Sequence, residues 1–428
     1  MKKGLYILLL IALLIGVMAA YWYFLMRTPS QAPANQNPST GFSPFDRNPA
    51  GSNPSGTNQP STAGNTGTTT TGIPAKLPAL RLLSDAPVGG YGASTTASTT
   101  IVRWIDRGRG NIYEVSENSA ALVTLSNTVL PRMYESVWNK SLNAFIGSII
   151  DPSGSQSTVY AQIQSRATSS SATSTKPASG NDVFTPFQLK GKDLPDGMIG
   201  YAISPKKDKI FMFIDENGNG VGYTATFDGK SVTRIFSTPL TKVNIDWPED
   251  NTIAITTKGA AAQSGFLYFV DPKKGTWKKI LGPISGLSAR VSRDAKYVVY
   301  SSSNAGGTMS TNILTVATQA VKDTLLRTIA DKCVWGNFYK STVYCAAPSR
   351  PAQAVYPDDW YKGNVSFADK IWQVDAVTSE VHLISSIVDQ SDRIIDAYHL
   401  GLDSRDDYLF FMNKNDLSLW SLDLVSSQ

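Results

Sequence analysis

With two histidines and two cysteines in 428 residues, imidazole and thiol chemistry is confined to four positions. His382 and His399 fall on segments that read as strands, where a histidine is ordinarily structural. Cys333 and Cys345 lie at equal distances from a turn centred near Tyr339, which makes them cross-strand neighbours. Outside the cytoplasm a disulfide between them is preferred over two buried thiols. The stretch Asp215-Glu216-Asn217-Gly218-Asn219-Gly220 matches the start of a calcium loop, with Asp215, Asn217 and Asn219 as oxygen donors. Its twelfth position is Thr226 rather than a bidentate Glu, and an Asn-Gly hairpin turn accounts for the same residues. Calcium is the one cofactor this pattern brings into question. G-x-S-x-G, H-E-x-x-H and G-x-x-x-x-G-K-[ST] are all missing. The chain is therefore expected not to be an enzyme. Carboxylate-only glycosidase chemistry is the catalytic alternative, because paired acids leave no sequence signature.

The densest candidate for binding is APSRPAQAVYPDDWYKGNVSFAD, from Ala347 to Asp369, which brings together Tyr356, Asp358, Asp359, Trp360 and Tyr361. Rings beside carboxylates suit a protein or sugar partner: the apolar faces supply burial and the acids orient hydrogen bonds. The competing reading, that Tyr356 and Trp360 pin the loop to the fold beneath it, is preferred, since large aromatics are seldom left outside unless used.

The elements that position these residues begin with Gly4 to Met26, an uncharged apolar run preceded by Lys2 and Lys3. It is long enough to cross a bilayer, and the lysines favour a cytoplasmic N-terminus with the remainder outside. Cleavage near Met18-Ala19-Ala20 would instead release a secreted protein. Residues 1–27 are thus expected to be a cytoplasmic tip and membrane anchor. Residues 28–76, rich in Ser, Thr, Pro and Gly, are expected to be a disordered linker with a span of roughly 35–45 Å. A second Ser/Thr tract, 165–182, reads as a disordered insert in the folded domain, 77–428. Charged residues make up 17% of the chain and the net charge is +5. That leaves no concentrated basic stripe, so nucleic acid is not expected as a partner.

From Leu77 onward, short β-branched and aromatic segments alternate with polar turns, without helical periodicity. VWNKSLNAFIG, ISPKKDKIFMFI, DWPEDNTIAIT, VSRDAKYVVYS, VWGNFYKSTVYC and LDSRDDYLFFM repeat one strand–turn–strand unit, about 43–45 residues apart where nothing intervenes. Trp138, Ser204, Trp247, Ser292, Trp335 and Ser404 take equivalent places in this alignment, so the tryptophans read as core residues. Third and fourth strands follow each hairpin, which is the construction of a β-propeller blade. The C-terminus stops after a third strand, Leu419 to Leu424, while Leu80–Ser84 reads as a fourth strand with no blade before it. Pairing the two closes a ring of seven blades, with six or eight as alternatives.

The hairpins, such as Ser204-Pro205-Lys206-Lys207-Asp208-Lys209-Ile210, resemble those of TolB-type and other WD40-like propellers, and the layout resembles uncharacterised bacterial propellers on a single N-terminal anchor. This resemblance implies an all-β propeller and protein–protein contact at the cell envelope. The expected function is therefore an extracytoplasmic, membrane-anchored binding or scaffolding module, with a protein partner at the cell envelope and a glycan as the alternative ligand. The alternative is a surface-glycan hydrolase or lyase with its carboxylates in the propeller channel.

Overall fold

The computed structural model describes residues 77–426 except 98, 127, 129, 166–186 and 304–306. The expected anchor and linker, and the Ser/Thr tract beyond Ser165, lie outside the described residues. Ser165 itself ends the strand Gln156–Ser165 and pairs with Phe187, so that segment is strand one residue further than expected. Among the described residues no helix is long and apolar enough to cross a membrane.

The chain folds as a seven-bladed β-propeller: seven antiparallel four-stranded sheets, six of them consecutive in sequence. The inner strands of blades 1 to 7 are Val88–Thr95, Met133–Trp138, Met198–Ile203, Val243–Glu249, Ser288–Val291, Cys333–Trp335 and Ala397–Leu402. The seventh sheet mixes the chain ends, with Leu80–Ser84 antiparallel to Leu419–Asp423. Arg81 ties the closing strand to blade 1: its guanidinium donates to the Glu117 carboxylate at 2.9 Å and to the Glu117 and Ser119 carbonyls.

The second strand of each blade is buried on both faces, and period-two alternation sends its residues to different neighbours. In Lys209–Glu216, Ile210 and Met212 pack toward blade 2 while Phe211 and Phe213 pack toward blade 4. The same division gives Tyr344 and Ala346 to blade 7 but Val343 and Cys345 to blade 5. The core is therefore a set of seven apolar layers, one between each pair of adjacent blades. Close packing at the centre also requires glycine in the blade-1 inner strand, most sharply at Gly90, where φ is 116° and a Cβ would come within 2.3 Å of Ser136 Oγ.

Trp138, Trp247 and Trp335 are all buried in these layers. The register shifts the sequence alignment by one place. Trp138 and Trp335 face Phe145 and Val343, whereas Ile203 and Val291 face Ile210 and Val298, so the tryptophans match the residues just before Ser204 and Ser292. The serines hold the following turn by accepting from backbone N–H groups, and in blade 7 that work falls to Asp403 rather than Ser404.

Candidate functional site

Blade geometry sorts the connections onto two faces. Links between blades and second-to-third-strand hairpins emerge on one face, here the upper, and first-to-second-strand turns on the lower. The inner strands enclose a central channel with a cavity of about 540 Å³.

Six polar side chains from five blades line it between its two mouths: Glu135, Asp246, Arg290, Asp331, Tyr361 and His399. Arg290 lies 3.4 Å from Asp331, and Tyr361 donates to the same carboxylate at 2.6 Å. Burial works against the Arg290 charge, but Asp331, Asp246, Tyr361 and Glu135 outweigh it and raise its pKa. Burial and the Asp331 carboxylate raise the Tyr361 phenol, keeping it a donor. His399 is exposed to the channel within the ring of blades. Burial lowers its pKa, Glu135 and Asp331 oppose this, and Arg290 adds to it; the net shift is downward, leaving the imidazole neutral at pH 7. Its backbone is left-handed, φ 49°, and its carbonyl accepts from Tyr91 Oη at 2.6 Å. The group offers carboxylates to a cation, the Arg290 guanidinium as a donor, and the His399 imidazole for proton exchange.

The loop chosen from the sequence divides sharply. Tyr356 is 1% exposed and Trp360 4%. Both pack with Met309, Ile329 and Phe367 beneath the loop. Asp358 accepts the Ala261 N–H at 2.7 Å, and Asp359 accepts the Val355 N–H at 2.8 Å. Trp360 Nε1 donates to Asp396, which also binds Lys332. Lys332, Asp369 and Asp396 are all fully buried, with Lys332 Nζ 2.7 Å from Asp369. Four of the five residues thus hold the loop down; Trp360, though buried, borders the channel cavity, and Tyr361, 40% exposed, reaches into it.

The Asp215–Gly220 stretch is a two-residue hairpin turn: Asn217 and Gly218 have φ of 56° and 82°, and Glu216 pairs with Asn219. The Asp215 carboxylate accepts the Gly218 N–H at 2.8 Å, which fastens the turn. Among the described residues no cluster of three or more His, Cys, Asp or Glu is placed to hold a metal. Cys333 and Cys345 face each other in register and are joined by a disulfide. His382 is exposed on the outer strand Val381–Ser385.

Glu135, Asp246, Arg290, Asp331 and His399 were not singled out by sequence reasoning as a site. Glu135 and His399 lie three residues before the matching strand ends Trp138 and Leu402, whereas Arg290 lies one before Val291, so no single blade position marks all three.

No protein-family model and no curated protein matches the chain. Solved structures do. TolB from Acinetobacter baumannii is 10% identical with a TM-score of 0.39, over 74% of this chain and 60% of that one. The chain resembles TolB-type propellers. It spans less than two thirds of that protein. An oligogalacturonate lyase from Vibrio parahaemolyticus is 10% identical with a TM-score of 0.47, over 76% of this chain and 86% of that one. A puromycin-hydrolysing peptidase from Mycobacterium tuberculosis is 11% identical with a TM-score of 0.44, over 78% and 53%. These two correct the expectation that the chain is not an enzyme, since the structures it is similar to include catalysts. That expectation rested on missing motifs, and a site assembled from separate blades writes none.

Proposed function

We propose that this chain is an extracytoplasmic propeller, held at the membrane by its N-terminal apolar run, that works through the upper mouth of its channel. The ligand is a cationic group on a protein partner at the cell envelope, a chain-end ammonium or a basic side chain. One observation carries this reading: Glu135, Asp246 and Asp331 line a cavity in which Arg290 is paired with Asp331, while its other cations, Lys207 and Arg293, come from the lower turns. Carboxylates away from those turns, in a site partly shielded from water, attract a cation more strongly than an exposed carboxylate does. Tyr361 reaches the same mouth from the long loop and supplies an aromatic face beside the acids.

A second reading is favoured by the neutral His399 beside Glu135 and Asp331. The three could serve acid–base cleavage of a neutral or amino-sugar glycan. An anionic polysaccharide fits this mouth less well, because the acids would repel it.

The test is calorimetry on the full-length chain in mild detergent, using a short peptide with a free N-terminus and an amidated C-terminus. Binding that is lost on N-acetylation, and weakened at least about tenfold by Glu135→Gln with Asp331→Asn, supports the cation reading. Equal binding of the acetylated peptide, or no binding, refutes it. Release of reducing ends from a chitin-type oligosaccharide, abolished by Glu135→Gln, would establish the second reading.

A further inference from the structure

The lower end of the same cavity is built from the opposite charge. Lys207 and Arg293 both line it, from the first-to-second-strand turns of blades 3 and 5. Each turn contains a neighbouring acid, but that acid is engaged elsewhere. Asp208 accepts from Ser204 Oγ at 2.7 Å, and Asp294 accepts from Ser292 Oγ at 2.7 Å while pairing with Lys296. Among the described residues no carboxylate forms an ion pair with Lys207 or Arg293. Just inside this mouth the inner strands end in Trp138, Ile203, Val291, Trp335 and Leu402, an apolar collar that also lines the cavity.

The arrangement is held rigidly. Lys207 has left-handed backbone, φ 56°, with its N–H on the Ser204 carbonyl at 2.8 Å. The same serine's hydroxyl accepts the Asp208 and Lys209 N–H groups, so the turn does not easily swing Lys207 away. Burial, with the Arg293 charge adding to it, lowers Lys207 to about 8. Two like charges beside an apolar collar are costly to hold without a counter-charge.

We propose that Lys207 and Arg293 form an oxyanion site at the lower mouth, taking a carboxylate or phosphate group. An anion between the two cations removes their repulsion, and the Arg293 guanidinium offers a donor fork matched to either oxyanion. The channel then has an acidic upper end and a basic lower end. The lower site goes beyond the cation reading and does not depend on it.

The experiment follows Lys207 in the full-length chain by carbon-13 NMR after reductive dimethylation, which keeps the charge; Lys207→Gln assigns its signal. Inorganic phosphate and succinate are the probes. Either anion should raise the Lys207 pKa by about one unit. Arg293→Gln should raise the half-saturating concentration at least about tenfold. A response to succinate alone identifies carboxylates, and to phosphate alone phosphate esters. Glu135→Gln with Asp331→Asn should leave the response intact, which separates this site from the upper one. A Lys207 pKa unmoved by both anions overturns the proposal, and so does an undiminished response in Arg293→Gln.

Discussion

The long loop over blade 6 and the wall of the channel teach opposite lessons about where function is written. The loop displays Tyr356, Asp358, Asp359 and Trp360 within five residues, and the fold uses all four to fasten it. The wall draws Glu135, Asp246, Arg290 and His399 from four blades, none beside another in sequence, and points them into one cavity. Aromatics crowded into a long connection report the need for burial. Chemistry at the axis of a ring comes together only in the fold.

Removing the loop's buried anchor should have the largest effect on this contrast. Lys332→Ala leaves Asp369 and Asp396 buried without their cation. It should destabilise the propeller by about 3–5 kcal/mol in urea unfolding. Trp360→Ala empties the pocket under the loop and exposes Met309 and Phe367, at a cost of about 3 kcal/mol. A Trp360→Ala protein of wild-type stability would return the loop to the list of binding surfaces.

Next comes a pH effect. Burial raises Asp369 from its ordinary 3.8 to about 6, despite Lys332, so the folded chain holds a proton that the unfolded chain has lost. Stability should therefore fall as pH rises from about 4 to about 6, by roughly 2–3 kcal/mol, with the loss complete above that range. Asp369→Asn should remove this dependence, read as the difference between two thermal-denaturation series. The disulfide spans a separation of 12 residues, so Cys333→Ala with Cys345→Ala should cost about 2–3 kcal/mol. The smallest stability effect belongs to the wall. Glu135→Gln, half-buried and facing the channel's water, should stay within about 0.5 kcal/mol of wild type.

Much of the architecture was legible because a propeller repeats. The hairpin period gave the blades, and the unmatched strand Leu80–Ser84 gave the seam with Leu419–Asp423. Equal spacing about a turn paired Cys333 with Cys345. The one-place error in aligning Trp138 and Trp335 with Ser204 and Ser292 arose because both positions flank the same turn, and only register separates them. The site was less legible. His399 was read as a structural strand residue because a sequence does not tell an inner strand's third residue facing the axis from one facing the next blade. The charge of Arg290 is likewise common on any strand until Asp331 and Tyr361 stand beside it.

The central claim, that the channel rather than the loop is the working surface, is tested most directly by one affinity comparison. The free-amine peptide is titrated into wild type, into Glu135→Gln with Asp331→Asn, and into Val355→Ser with Lys362→Ser, which alters only exposed loop positions. The account predicts at least about tenfold weaker binding in the channel variant and wild-type affinity in the loop variant. Lost binding in the loop variant, with the channel variant unchanged, would contradict it.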